Sequence, residues 1–235
     1  MFSAGCTTSQ NYYLPGSSGQ IPEVSGRLWG GSAEAHLASG VAVQIVRDLR
    51  TTPPATDMTS ANSSVFLSGT SFLFDLGLAD RFDIYVRRGV GARFQVYGVP
   101  GEEGWKSTVF VQQANTSTKT TDGTIGSSDN DPKVDAQTIS NAIEVGTSIG
   151  YSPKVNQLLF VTLLYGKGLA KTTVNHPSAG QWKVDDQFTN IMLSLGARIG
   201  DPWFFQYEIS GTYVDWPRIA PTVVGAGNLG FGYQW

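Results

Sequence analysis

Ser32, Glu34 and His36 stand two residues apart in the stretch Gly31-Ser32-Ala33-Glu34-Ala35-His36. A hydroxyl, an imidazole and a carboxylate are the parts of an acyl hydrolase: the base takes the serine proton and the acid orients the base. On a strand, successive residues of one face are about 7 Å apart, so direct hydrogen bonding along the row from Ser32 through Glu34 to His36 needs favourable rotamers. That spacing suits a structural histidine on a polar face better than a catalytic one. The other residues able to do chemistry are Asp75, Asp83, Tyr85, Arg87, Arg93, Glu144, Arg198 and Glu208. Each lies at alternate positions among small or polar neighbours, as Glu34 and His36 do. Asp129-Asn130-Asp131, with Asp122 and Asp135 nearby, offers oxygen ligands but lacks the spacing of a calcium loop. His176, ahead of Pro177, reads as solvated. Gly225-Ala226-Gly227 is not a phosphate loop, because no strand-to-helix transition follows it. None of these motifs calls for a cofactor or a metal.

The elements that carry these residues alternate with period two, which is the mark of strands with two unlike faces. Ile143, Val145, Ile149 and Tyr151 oppose Glu144, Gly146, Ser148 and Gly150. Ile191, Leu193, Leu195, Ala197 and Ile199 oppose Asn190, Ser194, Gly196 and Arg198. Trp203, Phe205, Tyr207 and Ile209 oppose Gln206, Glu208, Ser210 and Thr212. Residues 26–47 put Trp29, Ala33, Ala35, Leu37, Val41, Val43 and Ile45 on odd positions, away from Ser32, Glu34, His36 and Gln44. Residues 63–78 set Phe66, Phe72, Phe74, Leu76 and Leu78 against Ser71 and Asp75. Two short strands follow, Phe82, Ile84 and Val86 against Asp83, Tyr85 and Arg87, then Ala92, Phe94 and Val96 against Arg93, Gln95 and Tyr97. A three-residue turn Arg88-Gly89-Val90 would join them, placing Asp75 opposite Tyr85 and Tyr85 opposite Arg93. The strand near 105–114 has Trp105, Val109 and Val111 on one parity and an ambiguous facing; residues 155–166 are apolar on both faces.

Composition turns this pattern into a fold class. Only 15% of the 235 residues are charged, where roughly 25% is usual for soluble domains, and 28 are glycine. No run approaches the ~18 apolar residues of a transmembrane helix, so a membrane-spanning chain of this kind must be a closed barrel. Charges share faces with Gly and Ser, opposite large apolar residues, which argues against a soluble lipocalin-like barrel with an apolar interior. The expectation is an all-β transmembrane antiparallel up-and-down β-barrel of about ten strands, with eight or twelve left open. Turns at 79–81, 152–154 and 200–202 fall on one side; the long segments 48–62, 115–139, 167–186 and 215–222 fall on the other. Short periplasmic turns with long outer loops are the outer-membrane arrangement. The Trp203-Phe204-Phe205 cluster beside a short turn, with Trp29, Trp105 and Tyr151, reads as an interfacial aromatic belt. A net charge of −3 gives no footprint for nucleic acid.

Three segments resemble known signals. Asn228-Leu229-Gly230-Phe231-Gly232-Tyr233-Gln234-Trp235 resembles the carboxy-terminal strand of Gram-negative outer-membrane β-barrels, with Gly230, Tyr233 and Trp235 as the assembly signal. The resemblance implies the bacterial outer membrane as location and the barrel assembly machinery as partner. Gly77-Leu78-Ala79-Asp80-Arg81-Phe82-Asp83 is similar to a repeated pattern of small outer-membrane barrels, some of them lipoproteins. Ser3-Ala4-Gly5-Cys6 resembles the end of a lipoprotein signal, although Ser3 replaces the usual large aliphatic residue. That likeness makes Cys6 the candidate lipid anchor, residues 1–25 a flexible leader or tether at the periplasmic side, and residues 26–235 the barrel.

The inward set Glu34, His36, Asp75, Asp83, Tyr85, Arg87, Arg93, Glu144, Arg198 and Glu208 then lines the lumen. Together these features point to a small porin-like channel or a structural barrel, with outer-membrane lipids and small solutes as partners. Two alternatives stay open: a surface binding or adhesion barrel using 115–139 and 167–186, and a lipid-modifying enzyme of the acyl-hydrolase kind.

Overall fold

The computed structural model describes residues 8–13, 20–47, 61–87, 89–122, 134–176, 180–216 and 221–235. Cys6, Arg88 and the Asp129-Asn130-Asp131 run lie outside them, as do the side chains of Phe66, Asp122, Asp135 and His176 and those of residues 38–47. The strands are β1 (Thr8–Tyr13), β2 (Gly31–Arg47), β3 (Ala61–Ala79), β4 (Phe82–Val86), β5 (Val90–Tyr97), β6 (Gly104–Asp122), β7 (Val134–Lys154), β8 (Gln157–His176), β9 (Gly180–Ile199), β10 (Trp203–Asp215) and β11 (Thr222–Gln234). From β2 to β11 each strand pairs antiparallel with its sequence neighbour, and β11 pairs with β2, so ten strands close into a barrel. Among the described residues there is no helix. Closure leaves no free edge around the belt where backbone groups would face lipid.

The alternation sorts as its chemistry demands. Leu195, Ile209 and Phe231 lie on the outer wall, 50%, 61% and 44% exposed, while Glu34, Arg93 and Glu144 lie inside at 3% or less. Trp29, Trp105, Tyr151 and Trp203 are exposed near the short turns, and Trp105 and Tyr151 touch with ring centroids 5.3 Å apart. Of the aromatic cluster, Phe204 is the exception: it points inward and is 1% exposed.

Glycine explains how so many rings fit inside. Phe110 pairs across strands with Gly146, Phe160 with Gly196, Phe188 with Gly168, Phe204 with Gly232, Tyr85 with Gly91 and His36 with Gly230. A Cβ built at each of these glycines would fall 2.3–2.7 Å from the partner ring. The missing methyl is the space the ring occupies. This resolves the doubly apolar strand: Leu159, Val161, Leu163 and Tyr165 face out, whereas Leu158, Phe160 and Leu164 pack inside with Ile21, Phe110 and Met192. It also settles the strand near 105–114, where Trp105, Val109 and Val111 face out and Lys106, Thr108 and Phe110 face in.

Four features depart from the sequence reading. The segments 115–139 and 167–186 are largely strand: β6 pairs with β7 as far as Asp122↔Val134, and β8 with β9 as far as His176↔Gly180. Beyond the belt the outward faces carry Asn141, Lys167, Lys171, Asp185 and Gln187, all exposed. The outward face there is polar, while Thr138, Ser140 and Thr172 are buried on the inward one, so the apolar period that marks a strand is lost although pairing continues. The turn expected at 152–154 lies at 155–156, because a register shift between Tyr151 and Lys154 carries β7 further. The β4–β5 hairpin turns one residue early, pairing Val86 with Val90. Finally, β1 pairs with residues 42–47, the outer end of β2.

Candidate functional site

The lumen holds the chemistry, and residues 20–25 run through it. The threaded segment is tied to walls on both sides. Thr162 Oγ1 donates to the Gln20 carbonyl (3.2 Å) and Thr108 Oγ1 to that of Ile21 (3.1 Å). The amides of Val24 and Ser25 donate to Gln95 Oε1 (3.0 Å) and Asp83 Oδ2 (2.8 Å). Glu23 pairs with Lys106 at 2.8 Å and accepts from the Gly101 amide. The sequence assigns these residues to a leader outside the barrel; with Gln20 and Val24 buried, they are part of its filling. Their polar, proline-containing sequence has no strand period, which is why pattern alone does not place them.

One hydrogen-bonded belt crosses the half of the lumen nearer the short turns. Arg93 Nη2 bonds Asp83 Oδ2 (3.0 Å) and Asp75 Oδ2 (3.2 Å). Ser32 Oγ lies 3.2 Å from Asp75 Oδ2 and 3.0 Å from Glu34 Oε1, and so links the first cluster to a second. There Glu34 meets Arg198 Nη2 at 2.6 Å and His36 Nε2 at 2.7 Å. Arg198 Nε donates to Gln206 Oε1 (3.0 Å), and its guanidinium stacks on Phe204, 3.8 Å from the ring centroid. Charges this deep are tolerable because each ion pair carries further hydrogen bonds. A second layer lies further from the short turns. Gln112 donates to Glu144 and accepts from Tyr85 Oη (3.0 Å) and Gln20 Nε2 (3.0 Å), while Asn190 Nδ2 donates to Glu144 at 3.3 Å.

Of the expected lumen residues, Glu34, His36, Asp75, Asp83, Arg93 and Arg198 come together in the first belt, and Tyr85 and Glu144 come together through Gln112 in the second layer. Asp75 stands opposite Tyr85 as expected, but Arg93 stands opposite Asp83 and Tyr85 opposite Gly91, because the hairpin closes one residue early. Glu208 is buried at 1% and paired across the wall with Gly196, and Arg87, just past the end of β4, is half-buried. Lys106, Gln95, Gln112, Thr108 and Thr162 also belong to the site. Parity could have found Lys106 once Trp105 was set outward; nothing local marks its partner Glu23.

The hydrolase arrangement is not assembled. Ser32 donates toward carboxylates, and both His36 nitrogens are taken, Nε2 by Glu34 and Nδ1 by the Asn228 amide at 2.8 Å. The serine proton has no imidazole to go to. The cavity beside the belt, bounded by Ser25, Asp75, Arg93 and Arg198, measures about 70 Å³.

No protein-family model matches the chain, and a comparison with curated proteins found no match. Solved structures do match. The chain is similar to the outer-membrane protease OmpT of Escherichia coli, with a TM-score of 0.55 and 9% identity over 88% of this chain and 97% of that one. It also aligns with Ail, the attachment invasion locus protein of Yersinia pestis, with a TM-score of 0.42 and 13% identity over 88% and 100% of the two chains. A third alignment is with the outer-membrane channel DcaP of Acinetobacter baumannii, at a TM-score of 0.23 and 7% identity over 89% and 96%. Closed ten-strand wall, apolar exterior and ionised interior define the class: a β-barrel protein of the bacterial outer membrane. At 9% identity the likeness to OmpT extends to fold alone.

Proposed function

We propose that this barrel is a small porin-like channel for polar solutes whose bore is filled by its own residues 20–25. One observation carries the reading: residues 20–25 run through the lumen, bonded to the wall, yet belong to no strand of it. Every wall strand from β2 to β11 finds its pairing partners without it. An extended chain fills a cross-section of about 5 by 10 Å, so withdrawing it would clear a path of that order between the ionic belt and β6–β8. The path would be lined by Asp75, Asp83, Arg93 and Lys106 on its two sides. Insertion by the barrel assembly machinery, on the terminal strand ending at Trp235, belongs to the same reading.

Planar-bilayer recording tests it. The wild-type chain should be silent or conduct rarely, and the full-length I21G/E23Q variant, whose arm loses its apolar seat and its ion pair, should open more often. A variant that is folded, by heat-modifiable migration, yet as silent as the wild type would overturn the channel reading. The result would then favour a structural barrel, the second reading, which the ring-on-glycine packing and the ion pairs of the lumen support.

A further inference from the structure

We propose that the lumen is a binding site for an extended peptide, occupied in cis by residues 20–25 and open to a second segment of the same chemistry in trans. It rests on the reading of those residues as a plug rather than as wall. The wall addresses the segment's backbone first: two hydroxyls donate to successive carbonyls, those of Gln20 and Ile21, and two side-chain oxygens accept from successive amides, those of Val24 and Ser25. Main-chain hydrogen bonds hold an extended peptide whatever its sequence, and pockets then choose among sequences.

The pockets are present. Ile21 is buried with Leu158 and Phe160. Pro22 rests on Gly150, where an added Cβ would fall 2.6 Å from its ring. Glu23 meets Lys106, which is 1% exposed. Ser25 Oγ donates to Asp83 Oδ1 at 2.9 Å. In order, the lumen reads an apolar side chain, a proline, a carboxylate and a small hydroxyl two places on. None of these contacts depends on the segment being joined to β2; the covalent link supplies only a high effective concentration. With Val24 also buried, the ligand class is thus an extended peptide with the pattern apolar–Pro–acidic–apolar–Ser.

The test uses the full-length chain with its own arm weakened by I21G and E23Q, and a fluorescent synthetic peptide spanning residues 19–26. Anisotropy should show saturable binding of the wild-type peptide. A peptide carrying the same two substitutions should bind at least about tenfold more weakly, and Lys106→Gln in the wall should cost the wild-type peptide about tenfold, as losing a charged hydrogen bond would. If the double variant does not fold, E23Q alone serves. Absence of saturable binding, or equal binding of the two peptides, overturns the proposal. The two readings fail separately: silence of the weakened chain counts against the plugged channel, whereas raised conductance that the peptide neither binds nor blocks counts against the peptide site.

Discussion

Phe160 presses on Gly196, its partner across the β8–β9 pair, so closely that a Cβ at 196 would meet ring atom Cζ at 2.3 Å. The ring cannot retreat freely, because Ile21 and Leu158 pack with it in the same cluster. Gly196→Ala should therefore destabilise the barrel by about 1–3 kcal/mol through overpacking. Gly211, where a Cβ meets nothing within 4 Å, is the control. Gly211→Ala should be neutral or slightly stabilising, since alanine loses less chain entropy on folding. Urea unfolding in lipid vesicles compares them, and equal effects would reject the packing account.

The outer wall gives a second prediction. Ile209, 61% exposed on the belt, pairs with Leu195. Arginine at either position near the bilayer midplane should cost about 2–4 kcal/mol, whereas Gln187→Arg, above the belt, should cost close to nothing. Reversible folding into bilayers measures both, and indifference at Ile209 would contradict its contact with lipid.

Arg93 is 3% exposed and is the partner of both Asp75 and Asp83. Arg93→Met should leave two buried carboxylates facing each other and destabilise the barrel by about 3–5 kcal/mol. Adding D75N and D83N to the same chain should recover much of that loss. A double-mutant cycle showing simple additivity would mean the pairs contribute independently of one another.

Trp235 seals the seam between the last strand and the first wall strand. Its amide donates to the Gly31 carbonyl (3.0 Å), the Gly31 amide donates to its carbonyl (3.2 Å), and its indole Nε1 donates to the Trp29 carbonyl (3.2 Å). Deleting Trp235 should lower the yield of heat-modifiable barrel in the outer membrane. Trp235→Phe keeps both backbone bonds and the aromatic surface, so it should assemble better than the deletion. Equal assembly of deletion and wild type would remove the seam from the account.

Ser32 should be chemically ordinary. Its hydroxyl is held by Glu34 and Asp75 and lacks a bond to His36, so a fluorophosphonate probe should leave purified protein unlabelled at residue 32. Covalent labelling lost in Ser32→Ala would revive the hydrolase reading.

The face of almost every residue could be read along the chain, because the side of a strand on which a residue lies is a local property with period two. Leu195, Ile209, Phe231, Glu34, Arg198 and the ten wall strands all follow from it. Where the period is masked, reading stops: Leu158 and Phe160 leave their strand apolar on both faces until Gly196 is seen opposite, and the polar upper reaches of β6 to β9 look like loop. Tertiary structure alone decided the partners. Arg198 on β9 reaches Glu34 on β2, Lys106 meets Glu23, and residues 20–25 lie within the ring of strands. Those contacts join residues 164, 83 and more positions apart. They arise from closure of the barrel, which brings distant faces together across a lumen that no stretch of sequence contains.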